Sequence, residues 1–170
     1  MILLVLLGCA GPGGETAGTP APVNCPPAGE TGLSEGDVAQ DVTMTRCDGA
    51  ARSIHGLCGQ PALLVNYYGW CASCATNASL GRDLADQYPD LAVAIVLNED
   101  PLSEPVDAEF CDAYVDAYPS GAEVWMDPGG ALEVYGTTDL IVVLDAEGTL
   151  RFVRETSNED VIVEAVGGVI

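Results

Sequence analysis

A chain of 170 residues has room for one domain of ordinary size plus an N-terminal extension, and a hydrophobic content of 48% suffices for a real core. Its 26 acidic residues against 5 basic ones, all arginine, give a formal charge of −21. Such a surface repels phosphate backbones and anionic head groups, so nucleic acid is excluded as a partner, and the acidity reads first as a solvated, soluble face.

Residues Met1 to Gly8 form an apolar run too short to span a bilayer. Ala10 to Gly36 is rich in Pro, Gly, Thr and Ala and lacks a periodic apolar pattern, so it reads as a flexible tether of residues 10–36 ahead of a domain at 37–170. Cys25 inside it suggests that part of the tether is pinned to the domain. Val42 to Arg46 and Ala51 to Ile54 read as short strands around an Asp48-Gly49 turn. Ala62 to Val65, continuing through Tyr67 and Tyr68, has the composition of a buried strand, with the two tyrosines turned to opposite sides. Gly69 allows a turn, and Ala75 to Tyr88 carries Leu80, Leu84, Ala85 and Tyr88 at helical spacing. Leu91 to Leu97 is a continuous apolar run expected of a fully buried strand. Pro105 to Tyr118 places Phe110, Tyr114 and Tyr118 on one helical face. Leu140 to Leu144 is another buried strand, and Asp145-Ala-Glu-Gly148 turns it into the alternating stretch Thr149 to Arg154. Asn158 caps a final helix, with Glu159 and Asp160 in its first turn and Val161 to Val166 behind.

The chemistry concentrates at Trp70-Cys71-Ala72-Ser73-Cys74, between the central strand and the helix after it. There the first sulfur sits at a helix N-terminus, where unpaired N–H groups and the dipole favour negative charge. The thiolate is the reactive form of cysteine, and a partner one turn away can close a disulfide with little backbone movement. Cys71 is therefore the expected nucleophile and Cys74 the resolving thiol. The competing reading of this pair is a structural bridge or half a zinc site. Zinc would need two more ligands, and no second Cys-x-x-Cys or Cys/His pair is available, so no metal site is expected. His55, the lone histidine, reads as a loop side chain rather than a proton shuttle.

Trp-Cys-x-x-Cys after an apolar strand resembles the thioredoxin-like superfamily, and the wider match resembles its TlpA/ResA-type branch of exported redoxins, which overlaps the AhpC/TSA-type domains. The resemblance spans roughly residues 36–170, through the opening strand from Gly36, the Asp48-Gly49 turn, Leu57 with Gly59-Gln-Pro61, and Asp145-Ala-Glu-Gly148. It implies an α/β thioredoxin-like fold, a central mixed sheet flanked by helices, with an N-terminal β-hairpin extension. It also implies a thiol–disulfide oxidoreductase with no cofactor beyond its own Cys71–Cys74 disulfide. Its partners would be thiols and disulfides of exported proteins and an electron donor that the sequence does not name. Where the family places a cis-proline before the late buried strand, facing the sulfurs and shaping the substrate groove, this chain has Thr138 and Asp139. Either Asp139 faces Cys71, where a carboxylate would disfavour the thiolate, or it points to solvent and caps a loop. Trp70 borders the same groove. The approach to Cys71 is one residue shorter than the family's.

Leu6-Leu7-Gly8-Cys9 resembles a bacterial lipobox, which implies a signal peptide over residues 1–9 and a lipid anchor at Cys9 on the periplasm-facing side of the cell envelope, the outer membrane favoured over the inner. No basic residue precedes Arg46, so the positive n-region of such a signal is missing. With Cys9 lipidated, six of the seven cysteines remain, an even number fitting a disulfide framework outside the cytoplasm. Beside the Cys71–Cys74 pair the other four allow three connectivities. A local Cys47–Cys58 bridge across the Asp48-Gly49 turn is expected, leaving Cys25 with Cys111. Other functions fit less well. Peroxiredoxins place Thr or Ser three residues before the peroxidatic cysteine, a position held here by Tyr68. Copper-delivery redoxins pair Cys-x-x-x-Cys with a distant histidine. A non-catalytic lipoprotein that keeps the fold and uses its cysteines as staples remains the competing class.

Overall fold

The computed structural model describes Cys25 and residues 28–170. Cys9, its lipobox and most of the expected tether lie outside the described residues. Among these described residues nine strands and three helices follow in chain order: β1 (Thr31–Gly32), β2 (Val38–Ala39), β3 (Thr43–Arg46), β4 (Ala51–Ser53), β5 (Ala62–Tyr68), α1 (Ala72–Gln87), β6 (Ala92–Glu99), α2 (Ala108–Ala117), β7 (Glu123–Met126), β8 (Leu140–Leu144), β9 (Leu150–Glu155) and α3 (Glu159–Gly167). Short 3-10 turns at Ile54–Leu57 and Ala131–Val134 complete the set. Seven strands make one mixed sheet in the order β4-β3-β7-β6-β5-β8-β9. β5, β6 and β7 run parallel, β8 pairs antiparallel with β5 and β9 with β8 on one side, and β3 pairs antiparallel with β7 and β4 with β3 on the other.

The apolar runs explain which strands are central. β5, β6 and β8 are buried along nearly their whole length, because both sheet faces are covered. Successive side chains alternate between faces, so Leu63 and Val65 join one cluster and Ala62 and Leu64 the other. The first cluster takes Ala78 and Leu84 from α1, Cys111 and Tyr114 from α2, and Ile162 and Val166 from α3. The second takes Val42 and Met44 from the N-terminal part, Ile54 and Leu132 from the two 3-10 turns, and the fully buried Trp125. Helix starts follow the expected capping chemistry: Asn158 accepts from the Val161 N–H, and Asp107 from the Phe110 N–H.

The α/β class, the hairpin extension and the order of elements agree with the sequence reading. As Cys25 suggests, the N-terminal stretch is pinned to the domain: Cys25 bridges to Cys58, β1 runs parallel to β2, and the Gly36 N–H donates to the Leu150 carbonyl at 2.8 Å. Two points differ. Strand β7 went unread because Glu123–Met126 is only four residues long and has one buried Trp as its signal. The structural disulfides are Cys25–Cys58 and Cys47–Cys111, not Cys47–Cys58 and Cys25–Cys111. Strand register gives the reason. Thr43 pairs with Ser53 and Thr45 with Ala51, so Cys47 lies at the tip of the hairpin and Cys58 beyond its base. Four or more residues at about 3.3 Å each separate those ends, well past the roughly 7 Å a disulfide can bridge. The tip sits instead beside α2, and Cys47 reaches Cys111 there with a Cα separation of 5.3 Å. No helix among the described residues is long and apolar enough to cross a membrane.

Candidate active site at the start of α1

Strand β5 runs straight into the site. Gly69 follows it where the chain passes Asp100 and Pro101 so closely that a Cβ would stand 2.5 Å from their backbone, so only glycine fits. Cys71 is the N-cap of α1, with its sulfur accepting the Cys74 N–H at 3.1 Å. The two cysteines form a disulfide with Cα atoms 5.3 Å apart. Cys71 keeps 8% of its surface exposed and Cys74 none, so an incoming partner meets Cys71 first.

Asp139 faces the disulfide. One carboxylate oxygen accepts the Ser73 hydroxyl at 2.8 Å, and the other lies 3.8 Å from Cys71 Sγ. Its backbone is left-handed, with φ of 59°, an uncommon state for a residue with a side chain, and the surroundings hold it there. The Thr156 N–H donates to the Asp139 carbonyl, and Asn77 from α1 donates to the Thr156 carbonyl. Asn66 from β5 donates to the Thr137 carbonyl at 2.9 Å. The Thr137 N–H and hydroxyl both donate to Glu155, which holds that carboxyl below its usual range. Thr138 is half-buried within this braced loop. Of the two arrangements the sequence left open, the one facing Cys71 is present.

The rim is aromatic and acidic. Trp70 is 49% exposed, stacks at a tilt on Tyr68 with ring centres 5.5 Å apart, and donates its indole N–H to Glu99 at 2.6 Å. Tyr68 packs against Cys71 and Cys74 and donates its hydroxyl to Glu133 at 2.9 Å. Burial, then that carboxylate, pushes the Tyr68 hydroxyl far above its ordinary pKa, so it stays a proton donor at neutral pH. Tyr67 turns the other way and meets the Tyr114 ring edge-on at 5.1 Å. His55 lies elsewhere, with Nε2 2.7 Å from the Ala39 carbonyl and its own backbone N–H held by Asp41, a brace for the N-terminal segment.

These contacts set opposing electrostatics on a reduced Cys71. The helix N-terminus contributes about 0.3–2 kcal/mol in favour of a thiolate, and a backbone N–H to a charged sulfur about 1.5–3 kcal/mol. A carboxylate near 4 Å opposes it by about 4 kcal/mol at an effective dielectric of about 20. The effects are of similar size, so Asp139 largely offsets what the helix supplies.

Sequence reasoning found the cysteines, Trp70 and Asp139 but missed the amides that hold the loop. Asn66 is fully buried in mid-strand and accepts from Asn98, itself buried on β6. An Asn interrupting Leu63, Leu64 and Val65 before the tyrosines was the available signal. Ser73 and Asn77 carried no signal at all.

No family model matches the sequence, and no curated protein does. Solved structures match it well. The exposed lipoprotein thioredoxin of Streptococcus pneumoniae superposes with a TM-score of 0.62 at 22% identity, covering 76% of this chain and 99% of that one. A thioredoxin-like protein of Aeropyrum pernix gives 0.62 at 21% identity, covering 76% and 89%. A secreted disulfide oxidoreductase of Mycobacterium tuberculosis gives 0.60 at 20% identity, covering 75% and 95%. The chain has the thioredoxin-like fold.

Proposed function

We propose that this protein is an exported thiol–disulfide oxidoreductase that reduces or isomerises disulfides of other exported proteins. The observation that carries the reading is the Cys71–Cys74 bridge at the start of α1, with one sulfur reachable and the other buried beneath it. In the reduced state the Cys71 thiolate attacks a substrate disulfide. A new S–S bond joins Cys71 to one substrate sulfur, and the other leaves as a thiolate that takes a proton. Cys74 then loses its proton, attacks Cys71 Sγ and expels the second substrate sulfur, which is protonated in turn. The substrate disulfide gains two electrons and two protons, and the protein returns to the bridged form. Trp70, Thr138 and Asp139 would border the groove that receives the substrate chain.

Two further bridges support an oxidising compartment. A lipid anchor at Cys9 would fix the domain to the envelope, and the electron donor would be a partner thiol protein there. The carboxylate beside Cys71 favours the second reading, a thioredoxin-fold lipoprotein whose cysteines only staple it.

Redox titration of the full chain in thiol buffers, with Cys71→Ser and Cys74→Ser variants, separates the two. The oxidoreductase reading expects a reversible two-electron couple, mixed disulfides that accumulate in Cys74→Ser, and none in Cys71→Ser. A Cys71–Cys74 bridge that opens only on unfolding would leave the staple reading standing.

A further inference from the structure

Sequence spacing alone offers two metal ligands at this site, and the folded chain adds a third from 65 residues further on. Cys71 Sγ, Cys74 Sγ and an Asp139 oxygen all lie within 4.8 Å of one another. Tetrahedral zinc, with bonds of about 2.3 Å to sulfur and 2.0–2.2 Å to oxygen, requires ligand–ligand edges of roughly 3.5–3.8 Å. The Cys71–Asp139 edge is already 3.8 Å. Once the disulfide is broken, rotation of the two cysteine side chains would bring the sulfurs to a similar separation. Ser73 holds the far oxygen of Asp139, which leaves the near one aimed at the sulfur, the kind of second contact that orients metal-binding carboxylates. The braced, left-handed backbone of Asp139 fixes that aim.

Charge points the same way. Two thiolates and a carboxylate in one place repel one another, and the protein's own cations are committed elsewhere. Arg46 pairs with Asp48, Arg52 with Glu123, Arg151 with Asp145 and Arg154 with Glu35, while Arg82 lies on Tyr114 and Tyr118. The geometry points to a site for a zinc-like divalent cation, formed by Cys71, Cys74 and Asp139 in the reduced protein, with a fourth position open to water through the exposed edge of Cys71. This rests on the redox reading, since the site exists only after the disulfide has opened. Binding releases two thiol protons and changes no oxidation state. It withdraws both thiols from exchange, so the metal would hold the reductant form inactive until a chelator removes it.

The test uses the full chain, reduced under conditions that liberate two thiols, and titrated with zinc against a chromophoric chelator. Cobalt(II) then serves as a spectroscopic probe of thiolate coordination. We expect one equivalent to bind the reduced protein and the oxidised protein to lack this site. Asp139→Asn should lose at least about tenfold in affinity, and Ser73→Ala should fall by about tenfold through misorientation. Equal affinity in Asp139→Asn, or equal binding by the oxidised protein through its acidic surface, overturns the site while leaving the oxidoreductase intact. Failure to liberate two thiols without unfolding overturns both.

Discussion

The three disulfides among the described residues divide into two kinds, and the contrast shows which of them the fold leans on. Cys25–Cys58 and Cys47–Cys111 span separations of 33 and 64 residues, whereas Cys71–Cys74 spans 3. Closing a loop removes chain entropy from the unfolded state, so the long bridges each stabilise by about 4 kcal/mol and the short one by only about 2 kcal/mol. The long bridges also join elements that nothing else ties covalently: the N-terminal segment to the first 3-10 turn, and the hairpin tip to α2. The short bridge closes on a single helix start whose backbone is already secured by β5 and α1. Under the proposed redox function, its opening should therefore cost the fold little.

The largest effect should come from breaking this division at the staples. Replacing Cys47 and Cys111 together by Ala should cost about 4 kcal/mol in denaturant unfolding, while the reduction potential of Cys71–Cys74 stays put. A matching shift in that potential would show that the two regions are not separable. Next, Asn66→Ala should cost about 1–3 kcal/mol, because the buried Asn98 amide and the Thr137 carbonyl each lose a partner. It should also raise hydrogen exchange in residues 137–139, and an unchanged rate there would remove Asn66 from the account of the loop.

Asp139→Asn sharpens the comparison at the site itself. Removing the charge beside Cys71 Sγ should favour the thiolate, so alkylation of the reduced protein at pH 7 should speed up by at least about tenfold. A rate within twofold of wild type would mean that the carboxylate does not govern this sulfur. The smallest effect concerns pH. Hydrogen bonds from Thr137 depress the Glu155 carboxyl, so its contribution is present above the ordinary carboxylate range near pH 4 and is lost as pH falls through its lowered folded value. Exchange in residues 137–139 should therefore rise in acid, and Glu155→Gln should flatten that rise.

Much of the plan was legible before any coordinates. Strands β5, β6 and β8 announced themselves as apolar runs, Asn158 as a cap, and Cys71 and Cys74 as a pair within bridging reach at a helix start, since all of these depend on neighbours within a few positions. Strand β7 was not legible, because four residues carry too little periodicity and only pairing with β3 and β6 makes Glu123–Met126 a strand. The structural disulfides were misread for a related reason: closeness in sequence stood in for closeness in space, and the hairpin register carries Cys47 and Cys58 apart.

The sequence by itself determined the α/β order, the buried centre of the sheet, the acidic surface and the position of the paired cysteines at a helix start. All of these are local patterns of hydrophobicity, charge and helix-start chemistry. Only the tertiary structure decided that Asp139 meets Cys71. That contact joins residues 68 positions apart, and it depends on a backbone state held from outside by Asn66, Asn77, Thr156 and Glu155. No window of neighbouring residues contains that constraint, so it comes into being only when the sheet and α1 close around the loop.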